Sequence, residues 1–279
     1  MTPWSARESF DVLVVGKRLA EVLIGVTVYC LLAGAIILHF QLPAVNWGSA
    51  TSLINTVILS LLLGFRNSAA YARWWEARGL WGRLVNDSRN FAAKCAAFVP
   101  SEVLVGSRVK ETLAGFADAL RRQLRDESPR LNEIPGFEKE VGNPGHVPLF
   151  LAGRLFDEVA EWKRTGVIDQ ATLWVLDSNL NGLLDVCGGC EKIRNTPLSP
   201  SYKGLLRMGL LLNVLFEPWF TVPETGLWAL PGFVLVCFFL FGVELIDTIV
   251  EEPFGSDRDD LDLDRYCATI RDSVGMLIK

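Results

Sequence analysis

Residues 49–90 read SATSLINTVILSLLLGFRNSAAYARWWEARGLWGRLVNDSRN, and the fold follows from how this stretch is understood. Its first part, 49–65, is apolar and just long enough to cross a hydrocarbon core of roughly 30 Å as a helix. Between Gly64 and Asn90 come five arginines and three tryptophans but no proline, so the same helix is predicted to run on out of the bilayer. Trp74 and Trp81 lie seven residues apart, as do Arg66 and Arg73, which places each pair close to one helical face. On composition alone the arrangement suits an interfacial aromatic belt with basic anchors.

Working outward, three more apolar blocks appear, at about 19–40, 205–219 and 227–246. Tyr202 and Trp219 bracket the third as interfacial anchors; Pro231 and Gly232 near the start of the fourth predict a kink. Four membrane helices are therefore expected, and they explain how a 279-residue chain with 21% charged residues reaches a mean hydropathy of +0.29. Lys17 and Arg18 precede the first block, Arg66 to Arg89 follow the second, and Lys203 and Arg207 flank the third, while the linkers QLPAVNWGSA and EPWFTVPETG carry neither Lys nor Arg. Because cytoplasmic flanks retain basic residues, both termini and the segment 66–203 are predicted to be cytoplasmic, with the protein multi-pass in the inner (plasma) membrane.

The cytoplasmic part, 66–203 and 247–279, is expected to be helical, with helices at Glu102–Asp126, Pro148–Gly166 and Asp169–Gly188 and a Pro- and Gly-marked loop at 127–146. No strand alternation, repeat or low-complexity tract is visible, so the reading is an all-α integral membrane protein in which 1–279 form one integrated domain. A net charge of −5 argues against a nucleic-acid partner. Residues 1–18 show no removable signal peptide. No nucleotide loop, nucleophile elbow or paired-carboxylate site is present, so no enzyme and no cofactor is expected. The six cysteines do not form the dense framework of a secreted protein. Cys187-Gly-Gly-Cys190 lacks the strand-helix context of a redox pair and is read as structural; His39 and His146 are too few and too far apart in sequence to suggest a metal site. Glu21 sits at the edge of the first span, where it can face a cavity or snorkel.

The stretch Gly64–Asn90, with its GFR, RWWEAR and following W-G, closely resembles the signature of the bestrophin family in its bacterial form. A second stretch, Glu251–Asp264 (EEPFGSDRDDLDLD), resembles the PFG-plus-acidic cluster that follows the last membrane helix of that family. The resemblance covers essentially the whole chain apart from the loop 129–148. It implies a homopentameric, all-helical ion channel whose second helices line a central pore. Carried over by position, Val57, Leu61 and Phe65 would form an apolar neck, with Leu61 aliphatic where eukaryotic relatives carry a second aromatic. Periodicity alone does not choose this face over a lipid-facing or packing role, because the block is apolar all round. Leu198, between Pro197 and Pro200, would form a cytoplasmic aperture; as a lone loop leucine it also suits simple packing.

From Glu244 to Asp264 there are nine carboxylates and one basic residue, Arg258, a pattern that also suits a solvated face. The resemblance puts Asp257 and Asp260 at the positions of a calcium clasp, with Ser256 and Arg258 replacing acids, so any cation site there, calcium included, is expected to be weak. The expected activity is passage of small monovalent ions. Resemblance to bacterial members implies cations, chiefly sodium, and an acidic vestibule would favour them; eukaryotic relatives imply chloride as the alternative. A secondary transporter or a membrane-anchored interaction protein is the competing class, although neither inverted repeats nor polar broken helices are seen. The expected partners are further copies of the chain, lipid and the permeant ions.

Overall fold

The structure is a computed structural model, and it describes residues 6–43, 48–127, 129–140, 142, 144–257 and 259–278. Among these residues all regular structure is helical. The elements are α1 (Ala6–His39), α2 (Gly48–Phe98), α3 (Ser101–Gly106), α4 (Val109–Leu124), α5 (Val147–Arg164), α6 (Gln170–Asn195), α7 (Pro200–Thr225), α8 (Leu230–Val250) and α9 (Leu263–Leu277), with 3₁₀ turns at Leu131–Glu133 and Gly226–Ala229.

Three described helical stretches are long and apolar enough to cross a membrane: Gly16–His39, Ala50–Phe98 and Pro200–Val250. The last holds both α7 and α8, so the expected third and fourth blocks belong to one nearly continuous helical run interrupted by a 3₁₀ turn. The chain is therefore a multi-pass membrane protein. The 51 residues of α2 extend over about 76 Å at 1.5 Å per residue, which the absence of proline permits. The kink expected at Pro231 does not occur inside a helix. Pro231 lies in the first turn of α8, where its missing N–H forgoes no helical bond. The internal prolines are Pro218 and Pro223 of α7. Close to Pro218, Tyr29 Oη donates to the Leu215 carbonyl at 2.7 Å, and Trp219 Nε1 donates to that hydroxyl at 3.1 Å, so a neighbouring helix makes polar contacts within one turn of the proline.

The chain divides into two units, residues 1–73 with 197–251, and residues 74–196 with 252–279. In the first, α1 packs on α7 and α8 through Val26, Cys30, Ile37, Val222, Leu230 and Cys237. A second apolar cluster joins Leu59 and Leu63 of α2 to Leu206 and Leu210 of α7 and Leu240 of α8. A Cβ on Gly209 would stand 2.7 Å from the end of the Leu59 side chain, so any larger residue there would have to displace that leucine from the close α2–α7 contact, where small residues are common in membranes.

In the second unit α4 packs against α5 and α9, and α5 against α6, around a core that includes Trp81, Phe91, Leu113, Phe116, Leu151, Leu180 and Ile270. The expected helix 102–126 is broken: α3 ends at Gly106, Ser107 adopts extended backbone, and its hydroxyl donates to the Leu104 carbonyl at 2.7 Å. A serine hydroxyl that bonds locally competes with helix continuation. The helix α6 runs through Cys187-Gly-Gly-Cys190 to Asn195, beyond its expected end at Gly188.

Candidate functional site

On the membrane half of α2, side chains sort onto two opposite faces. Leu59, Leu63, Arg66 and Ala70 are buried, at 3%, 3%, 1% and 0% exposure. Val57, Leu61 and Phe65, spaced four apart on the other side of the helix, are exposed at 58%, 57% and 61%. Thus the chain anchors α2 by one face and leaves an apolar stripe open on the other.

The anchor is ionic. Arg66, adjoining Phe65, is buried; its Nη1 reaches Glu244 Oε1 at 3.2 Å, and its Nη2 donates to Thr248 Oγ1 at 3.0 Å and lies 3.8 Å from Glu251 Oε2. Glu244 and Glu251 are seven apart on α8 and its boundary, so both present to the same side as Thr248. Glu251 is also buried, and its Oε1 accepts from Lys203 Nζ at 2.6 Å and from the Leu198 backbone N–H at 3.2 Å, while its carbonyl accepts from Arg73 Nε at 3.3 Å. One buried carboxylate therefore ties the end of the Val57–Leu61–Phe65 stripe to the Leu198 segment. Leu198 itself is half-buried, held through its backbone, between exposed Pro197 and Ser199. Asp247, on the same face of α8, is buried without a hydrogen-bond partner on either carboxylate oxygen among the described residues.

Sequence reading treated Arg66 as one basic anchor among five. Its real signal is its place in the motif directly after the apolar stripe; its partners lie nearly 180 residues away and could not be seen. Glu21, by contrast, is exposed on α1.

The acidic run after α8 is mostly occupied with its own structure. Asp260 Oδ2 accepts from the Asp257 backbone N–H at 2.6 Å, folding over Gly255. Burial pushes the Asp260 carboxyl up to about 6, offset in part by that hydrogen bond. Asp257 is exposed. Asp262 caps α9 by accepting from Arg265 N–H at 3.0 Å. Asp264 takes Arg121 at 2.6 Å and Arg125 at 2.8 Å, and the hydrogen bond from Arg125 holds its carboxyl below the usual range. The loop is pinned further by Trp74 Nε1 donating to the Asp259 carbonyl at 2.8 Å and Arg125 Nε donating to the Gly255 carbonyl at 3.2 Å. Arg258 lies outside the described residues. The two candidate cation ligands are thus close together, but one carboxylate is engaged with the other's backbone.

In the second unit, the structure brings together His146 and Cys187, which sequence reading treated separately, and Glu191, which it did not single out. His146, Cys187 and Glu191 present their donor atoms within 4.8 Å of one another.

An all-helical, multi-pass protein with an anchored membrane helix and an open apolar stripe defines a class that includes channels. The chain belongs to the bestrophin family: the family described as Bacterial/Fungal Bestrophin protein matches residues 8–276. It is 33% identical over 261 residues to a voltage-dependent anion channel-forming protein of Ralstonia nicotianae, covering 90% of this chain and 85% of that one. A protein of the same description from a Nostoc species is 33% identical over 258 residues, 88% and 83% of the two chains. In fold it is similar to a bacterial bestrophin homologue from Klebsiella pneumoniae, with a TM-score of 0.82 over 92% of this chain and 97% of that one at 22% identity.

Proposed function

We propose that the protein is a homopentameric ion channel whose α2 helices surround the pore, with Val57, Leu61 and Phe65 as the apolar neck and Leu198 at a cytoplasmic aperture. The observation that carries this reading is the exposed apolar stripe of α2 lying opposite its anchored face. Among the described residues nothing covers that stripe, whereas five copies around an axis turn it into a ring. Such a ring controls ions by excluding water when narrow, with no charged gate required. Four crossings, with α7 and α8 as the last two and both termini on the cytoplasmic side of the inner membrane, are part of the proposal, as is one channel domain spanning 1–279.

The permeant ions are proposed to be small monovalent anions, chloride first. The naming of the relatives supports this over the sodium expected from sequence. The sodium expectation came from resemblance to bacterial members with the acidic balance as its physical support, and much of that acid is committed. Glu244 and Glu251 pair with Arg66 and Lys203, Asp264 pairs with two arginines, and Asp262 caps a helix. The exposed carboxylates of Glu252, Asp257 and Asp259 are what favours sodium as a second reading.

Reconstitution in planar bilayers under a sodium chloride gradient tests both. A reversal potential near the chloride value is expected. One near the sodium value would overturn the anion reading, and absence of current from both the wild type and a neck triple alanine variant would overturn the channel reading.

A further inference from the structure

We propose that His146, Cys187 and Glu191 form a binding site for a borderline divalent metal ion of the zinc class, independent of the ion pathway. Cys187 and Glu191 are one turn apart on α6, and His146 is the residue that caps α5. Glu191 Oε1 stands 2.5 Å from His146 Nε2 and 3.7 Å from Cys187 Sγ, and Gln123 Nε2 reaches it at 2.6 Å while lying 2.9 Å from His146 Nε2.

The contacts are hard to satisfy with protons alone. His146 Nδ1 accepts from the Leu149 N–H at 3.0 Å, so the ring proton of the neutral imidazole sits on Nε2 and points to Glu191. The Gln123 amide and the Cys187 thiol donate to the same oxygen. Three donors then crowd one carboxylate atom, and the Gln123–His146 contact has a donor on each side. If the ring proton moves to Nδ1, the amide turns and the thiol loses its proton, then Nε2, the sulfur, the carboxylate oxygen and the amide oxygen all become acceptors converging on one point. That is the mixed N, S and O donor set that suits zinc. Zinc binds such atoms at about 2.0–2.3 Å, so the Cys187–Glu191 separation already fits, and the His146–Glu191 contact must open by less than about 1 Å. The change gives up one helix cap, at Leu149.

Entry is available. His146 and Glu191 side chains are 33% and 29% exposed, and Gln123, Gly145 and Val147 line a surface cavity of about 210 Å³. Cys187 is buried, and burial, reinforced by the Glu191 charge, pushes its thiol up to about 12. Without an ion it is a neutral thiol, and binding releases its proton to solvent as the S–metal bond forms.

Cobalt(II) titrated into the full-length, detergent-solubilised protein is the test, with the thiolate-to-cobalt charge-transfer band as the readout and zinc as competitor. The expected result is one such band at one cobalt per chain, displaced by zinc, lost in Cys187→Ser and retained in Cys190→Ser, with Gln123→Ala, which removes the converging amide oxygen, weakening cobalt at least about 10-fold. Absence of the band from wild-type protein, or its survival in Cys187→Ser, would overturn the proposal. Cys190→Ser keeps the outcome interpretable, because it perturbs the same helix turn without removing a proposed ligand.

Discussion

Along α2, Val57, Leu61 and Phe65 are more than half exposed, whereas Ala77, Trp81, Leu84 and Phe91 further along the same helix are completely buried. The two halves belong to different units and satisfy their apolar side chains in different ways. The distal half closes its own core within one chain. The membrane half buries only the side that carries Arg66 and leaves the opposite apolar side for lipid or for other copies. A buried stripe stabilises the fold, so an exposed stripe of the same chemistry is free to be selected for something else.

Truncation should separate the two halves. Trp81→Ala removes a fully buried side chain and is expected to destabilise the second unit by about 3–5 kcal/mol, measured as a loss of thermal stability in detergent. Leu61→Ala should change stability by less than about 1 kcal/mol. An equal loss from both would end the contrast. Next in size is the anchor. Arg66→Ala removes the buried cation shared by Glu244 and Glu251, and because Arg207 and Lys203 still pair with them it is expected to cost less than the roughly 3–5 kcal/mol of a fully stranded buried charge. Glu251→Gln, which keeps volume and an acceptor for the Leu198 N–H, should cost less, yet it should shift relative ion permeability if Glu251 couples the stripe to the Leu198 segment. An unchanged permeability sequence would leave Glu251 a purely structural residue.

The pH dependence of the second unit sharpens the same comparison, because two neighbouring acids pull in opposite directions. Asp260 has its folded pKa raised to about 6, so its ionisation weakens the fold as pH rises from about 4, the unfolded value, through 6. Asp260→Asn should then stabilise the unit at neutral pH, by on the order of 1–3 kcal/mol. Asp264 has its folded pKa lowered by Arg125 and Arg121. Its contribution is present above the unfolded value and is lost as pH falls through the folded one, so Asp264→Asn should flatten the acid limb of a stability–pH curve. The smallest effect is expected at Leu198→Ala, which keeps the backbone bond to Glu251 and should alter permeability ratios without closing the pathway; unaltered ratios would return Leu198 to packing.

What could be read in advance follows the range of the interactions involved. That α2 runs on out of the apolar block was legible because no proline interrupts Ser49–Asn90, though its end at Phe98 was not, and the family was legible because two motifs are local strings. The break at Ser107 was not, since a single hydroxyl turning back on its own helix leaves no mark in periodicity. Nor was the Pro231 geometry, because proline within an apolar run reads the same whether it bends a helix or begins one. Arg66 with Glu244 and Glu251, and His146 with Cys187 and Glu191, are pairings across roughly 40 to 185 residues. Each residue looked ordinary alone, an anchor or a lone histidine, and gained meaning only from what folding brought beside it. The stripe Val57, Leu61 and Phe65 lies between these cases: spacing placed the three on one face, while exposure opposite Arg66 was needed to set that face apart.

The central claim is that this exposed stripe lines an ion pathway. Unitary conductance of the reconstituted wild-type protein against the Val57→Ala, Leu61→Ala, Phe65→Ala triple variant tests it directly. A wider apolar ring holds water more readily, so the account expects a several-fold larger conductance at an unchanged reversal potential. Identical conductance in the two proteins would remove the stripe from the pathway and contradict the account.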